Sequence, residues 1–217
     1  MFTIITRPAA TAALLGAIAL GGATAAQAQN VAHAHMGHVS EAWNDTPDGM
    51  GLLPTAIAEA EIAVFHATLA AKQPDNLDWM KTHSLHVLHA ITASTDGGPC
   101  LGYGVLKAAS GVAKHIGFAA EADEATDNIT LHATHIASSA NNTVARVAEI
   151  AGYIHQIQAA GSASAAAPAV QQMLRHATQL LEGRDANGDG SVTWHKGEGG
   201  LLDTQKHMGF MRDGEGL

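Results

Sequence analysis

Three histidines, His66, His83 and His86, recur 49 residues downstream as His115, His132 and His135, with the internal gaps of 17 and 3 residues preserved. Leu52/Leu101, Ala60/Ala109, Ala70-Ala71/Ala119-Ala120 and Asp78/Asp127 share that offset. Self-similarity at a fixed period marks a duplicated structural unit, and here the unit carries imidazoles. Neutral imidazole is the commonest protein metal ligand, and nitrogen-rich sites suit zinc, copper and nickel. The repeat therefore points to transition-metal coordination. Core histidines in a structural or partner-binding bundle, and noncovalent haem held by two axial imidazoles, are the competing readings.

The spacing says how such a site would assemble. Residues three apart share a helix face, so His83 pairs with His86 and His132 with His135. His66 precedes the turn at Gln73-Pro74-Asp75 and His83 follows it. They stand roughly 9 and 12 Å from the hairpin tip, within about one turn of the same level on antiparallel neighbours. The second repeat has the same arithmetic. His89 adds one more three-residue step to the first set, where the second has Ser138. Either each hairpin holds its own ion or both sets meet in a shared core, and the sequence leaves both open.

Two other segments carry ligand chemistry. His33, His35 and His38 with Met36 form a cluster near the N-terminal end, and imidazole beside thioether favours copper, Cu(I) especially. They are read as an accessory metal-binding arm. Near the other end, Asp185-Ala186-Asn187-Gly188-Asp189-Gly190-Ser191-Val192-Thr193 matches the start of an EF-hand calcium loop. Asp185, Asn187 and Asp189 fall at positions 1, 3 and 5, Gly190 at the turn, and the Ser191 carbonyl at position 7, with Thr193 following. Position 12 is Lys196 where a bidentate glutamate belongs, so Glu198 is the substitute and a weak calcium site is expected.

Helices must position these residues. Ala, Glu, Ile and Leu dominate from Pro54 to Lys72, with Ala58, Ile62, Phe65 and Leu69 as the expected core stripe. A second helix, capped by Asp75 or Asn76, runs to about Ser94 before Asp96-Gly97-Gly98-Pro99. Residues 101–121 repeat the first helix, and the segment from 123 repeats the second with an apolar rhythm reaching Gly161. Residues 161–167 read as a linker and Pro168 as the opening of a fifth helix. The expected fold is all-α: a four-helix bundle of two duplicated αα-hairpins over residues 52–160, an irregular segment 29–51, and a C-terminal helix-loop-helix over 168–217. Met173, Met208 and Met211 read as packing residues.

The run Glu59-Ala60-Glu61-Ile62-Ala63-Val64-Phe65-His66-Ala67, followed by His83-x-x-His86-x-x-His89-Ala90, resembles the small metal-binding protein family. The likeness covers about residues 52–145 and implies a His-rich periplasmic helical bundle that takes up divalent metals, copper among them. This chain has fewer histidines per helix, is more apolar and carries extra segments, departures that argue against high-capacity buffering.

Composition narrows the rest. The 14 histidines outnumber the 11 Lys and Arg. Residues 1–28 read as a secretory signal, with Arg7 before an apolar run Ala12 to Leu20 and an Ala26-Gln27-Ala28 cleavage pattern. A periplasmic or secreted protein is expected, and no later segment reads as a membrane span. Removing the signal moves the formal charge from −9 to about −10. An acidic chain without a basic run is a poor nucleic-acid binder. Cys100 is the only cysteine, so no intramolecular disulfide forms, and no Cys-x-x-Cys-His occurs for covalent haem. Glu59, Glu61, Glu121 and Glu124 lack the di-iron spacing. No nucleophile elbow or phosphate loop appears, and a non-enzymatic role is expected.

Overall fold

The computed structural model describes residues 30–94 and 98–217, so the expected signal segment and part of the Asp96 to Pro99 breaker lie outside the described residues. Seven α-helices make up the described chain: α1 (Val31–Ser40), α2 (Leu52–Ala71), α3 (Leu77–Thr92), α4 (Val105–Glu121), α5 (Asp127–Ala159), α6 (Ala163–Glu182) and α7 (Leu201–Glu215). No β-strand occurs among the described residues; Ala42 and Met50 form a lone bridge. The all-α expectation holds.

Local chemistry sets the helix starts. The side chains of Asn30, Asn76, Thr126 and Ser162 accept the N–H three residues on, at the N-termini of α1, α3, α5 and α6. α4 begins differently. The buried carboxylate of Glu59 on α2 accepts the backbone N–H groups of Leu101, Tyr103 and Gly104. Gly104 has φ 82°, and a Cβ there would meet the Ala93 nitrogen at 2.8 Å. Only glycine lets this turn approach the end of α3 so closely.

α2 packs against α3, α4 and α6, while the 33-residue α5 packs against α3, α4, α6 and α7. The core face of α2 is Ala56, Ala60, Ala63, Ala67 and Ala70, each fully buried, rather than the Ala58, Ile62, Phe65, Leu69 stripe expected from residue size. Small side chains let three helices approach α2 at once, and Phe65 is left 59% exposed.

Two other expectations are corrected. Residues 31–40 of the supposedly irregular segment are helical, because Ala32, Met36 and Val39 present one buried stripe and Asn30 caps it. The supposed linker is also helix. α6 starts at Ala163 and contains Pro168; both Pro168 and Ser164, whose carbonyl the proline leaves without its usual donor, are exposed. Among the described residues one helix, Leu52–Ala71, is long and apolar enough to cross a membrane by length and composition alone. In the fold it is a core helix bearing the buried Glu59 and His66.

Candidate metal centres

Nine of the fourteen histidines converge as three trios: His66/His83/His86, His35/His38/His115 and His132/His135/His207. Each trio takes a pair three residues apart from one helix and a single histidine from a neighbour. In the first, His66 of α2 meets His83 and His86 of α3, as the hairpin arithmetic requires. Its Nδ1 lies 3.0 Å from Nδ1 of His83 and 3.3 Å from that of His86.

The second repeat does not close on itself. His115 on α4 turns towards α1, and its Nδ1 lies 3.1 Å from Nδ1 of His35 and 3.3 Å from that of His38. His132 and His135 on α5 instead meet α7, with Nδ1 atoms 3.2 and 3.3 Å from Nδ1 of His207. The expected His115/His132/His135 trio is therefore replaced by two others, and neither a private second-hairpin site nor a shared central one forms. The physical reason is the extra helices. α1 lies along α4 and α7 along α5, bringing His35 and His38 to His115 and His207 to His132 and His135.

Other candidate ligands are placed elsewhere. Met36 is a buried core residue, and His33 Nε2 lies 3.1 Å from the Glu215 carboxylate. His89 sits outside the first trio, its Nδ1 3.4 Å from the Ser94 hydroxyl. His207 was not anticipated. Its signal was the His-x-x-Phe pattern that His115 and Phe118 also carry, and His35-x-x-His38 repeats the three-residue step of the two later pairs.

The geometry suits a cation. One Nδ1 offers a single proton or a single lone pair, yet the central imidazole of each trio faces two partners. Hydrogen bonding satisfies at most one of those contacts well. Nitrogens bound at about 2.0 Å to one tetrahedral ion lie about 3.3 Å apart; the central nitrogen of each trio stands 3.0–3.3 Å from its two partners, and all three lie within 4.8 Å of one another. Burial also favours the neutral form of several of these rings. It is the main cause that pushes His66 and His115 down to about 4, with neighbouring imidazoles adding to it, and it lowers His38, His83, His86, His132, His135 and His207. Among the described residues the third trio alone has a carboxylate behind it: Asp203 Oδ1 stands 3.9 Å from His207 Nε2, and its other oxygen accepts the Ser139 hydroxyl.

The acidic loop ends against this third trio. Ser138 and Asn142 of α5 donate to the carbonyls of Trp194 and His195. Buried Arg146 donates to those of Gly197, Glu198 and Gly199. Earlier in the loop, Asp185 accepts the N–H groups of Gly188, Asp189 and Gly190, and its carboxyl is held below the usual range chiefly by the Gly190 bond. Asn187 accepts from Asp189, and Asp189 from Ser191. Glu198 is turned inward, accepting the Thr193 N–H and hydroxyl. Met173, Met208 and Met211 are core residues, as expected.

The chain matches no protein-family model, no characterised protein and no solved structure. What can be said of it is the class that fold and site define: an all-α protein with three histidine trios that could each hold a metal ion.

Proposed function

We propose that this is an exported, non-enzymatic protein that holds transition-metal ions, copper, zinc or nickel, in three separate histidine centres. The observation that carries the reading is the convergence of nine Nδ1 atoms in three trios of one design. Each centre would bind its ion through neutral imidazoles and release it by proton competition or transfer. The likeness of residues 52–145 to small metal-binding proteins and the secretory character of residues 1–28 agree with this. A haem reading fits less well. Two axial nitrogens on one iron stand about 4 Å apart with a macrocycle between them, twice the usual metal–nitrogen bond, and these nitrogens are closer.

Calorimetric titration of the chelator-stripped protein with Cu(II), Zn(II) and Ni(II) tests the proposal. Three equivalents are expected, with one lost in each of His66→Ala, His115→Ala and His207→Ala. Absence of saturable binding, or a stoichiometry unmoved by these substitutions, overturns it.

A weak calcium site in the Asp185 to Glu198 loop is a second reading. Its support is the EF-hand order of Asp185, Asn187, Asp189, Ser191 and Thr193, with Glu198 turned inward. Terbium luminescence sensitised by Trp194 should appear in the parent and vanish in Asp185→Ala; a dark parent refutes the site.

A further inference from the structure

The chain has three tryptophans and four phenylalanines. Each tryptophan, and each phenylalanine among the described residues, packs against a histidine trio. In the first centre the Trp79 ring lies 4.2 Å from His83 and Phe65 lies 5.2 Å from His66. In the second, Trp43 lies 4.7 and 4.6 Å from His38 and His115, with Phe118 5.2 Å from His35. In the third, Trp194 stacks on His135 at 4.3 Å and Phe210 lies 5.8 Å from both His132 and His207. Aromatic residues make up 4% of this chain, so a Trp and a Phe at every centre belong to the site's design.

Resting on the metal-binding reading, we infer that these centres are built for a monovalent soft cation, Cu(I), rather than for Zn(II) or another divalent ion. Three arguments converge. Three neutral imidazoles leave the full charge of the ion uncompensated, and the cost of taking an ion out of water rises with the square of its charge, about four times as steeply for a divalent ion. Zinc completes its tetrahedron with a fourth ligand, commonly water, whereas the side chains packed beside these imidazoles are aromatic rings. Imidazole suits copper as well as zinc, and a cation close to an indole gains cation–π attraction, tryptophan being the strongest such partner. In the first centre the indole is fixed in place, because Trp79 Nε1 donates to the Leu69 carbonyl at 2.6 Å.

The three centres differ in one respect. Asp203 stands behind His207, while among the described residues no carboxylate is paired with the imidazoles of the other two trios. A carboxylate behind a ligating imidazole raises its basicity and offsets cationic charge. The His132/His135/His207 centre should therefore tolerate a divalent ion best.

The test is an anaerobic competition on the whole protein. Cu(I) is supplied as its bicinchoninate complex, Zn(II) is followed with a fluorescent chelator, and tryptophan emission is read throughout. Three equivalents of Cu(I) should bind with quenching, at least about 100-fold tighter than Zn(II) at the first two centres. Trp79→Leu should weaken one equivalent by about 3- to 30-fold. Phe65→Ala, at an exposed side chain whose loss spares the core, should narrow the preference for Cu(I) at the same centre. Zn(II) binding as tightly as Cu(I), or Cu(I) affinity and preference unchanged in both variants, overturns this inference and leaves the metal-binding reading intact. Failure of both ions to bind overturns both.

Discussion

Nδ1 of His66 lies 3.0 Å from Nδ1 of His83, with the two rings nearly parallel at 21° and both side chains buried. Protonating either ring would put a cation beside its neighbour in a dry pocket. Burial, then the fields of His86 and His83, therefore pushes His66 down to about 4. His115, facing His35 and His38, sits at the same value.

The pH dependence follows from the sign of these shifts. In the unfolded chain an imidazole takes its proton near pH 6.5, while His66 and His115 in the fold refuse it until about 4. The unfolded state thus binds more protons between those limits, and stability of the metal-free protein is lost as pH falls from about 6.5 towards 4. NMR titration should find His66 and His115 neutral at pH 5.5, and the melting temperature should fall through this window. Ring signals titrating near 6.5 would contradict the burial argument. On the metal-binding proposal, metal loss, expected from the sequence to follow the ordinary histidine range, should shift correspondingly to lower pH.

Two of the three centres staple terminal helices to the bundle. His35 and His38 tie α1 to α4, and His207 ties α7 to α5. An ion that binds only the docked arrangement stabilises it by about 2.7 kcal/mol at a hundredfold excess over the dissociation constant. Metal loading should therefore slow amide exchange in Val31–Ser40 and Leu201–Glu215 more than in Ile150–Ile157 of α5. Equal protection everywhere would argue against ions at these two centres.

Arg146 links the acidic loop to the third centre. Its guanidinium donates to the carbonyls of Gly197, Glu198 and Gly199, downstream of the Trp194 that stacks on His135. Arg146→Met takes from the Gly199 carbonyl its guanidinium donor, at a cost of about 1–3 kcal/mol, while the carbonyls of Gly197 and Glu198 keep bonds from Arg184. It should lower the melting temperature and weaken one metal equivalent, while the centres of His66 and His115 keep theirs. Loss at all three centres would mean that the substitution acts through global unfolding.

The His66/His83/His86 centre was legible because its ligands flank one turn, where rise per residue fixes their level. The other two join helices far apart in sequence, and no local rule pairs His115 with His35 or His132 with His207. Helix positions from α2 to α5 followed from period and breakers. α1 was obscured by the turn-forming run Asn44 to Gly49 beyond it and by histidines that read as a flexible arm. The alanine face of α2 eluded a reading that ranks apolar residues by size, since close helix approach favours the smallest side chains.

The most direct measurement is an anomalous-scattering map of crystals loaded with copper and recorded at its absorption edge. Three peaks are expected, each within bonding distance of the Nδ1 atoms of one trio, with His207 a ligand of the third. Peaks at His33, Met36 or the Asp185 loop with the trios empty, or a single ion shared by His115, His132 and His135, would contradict the account.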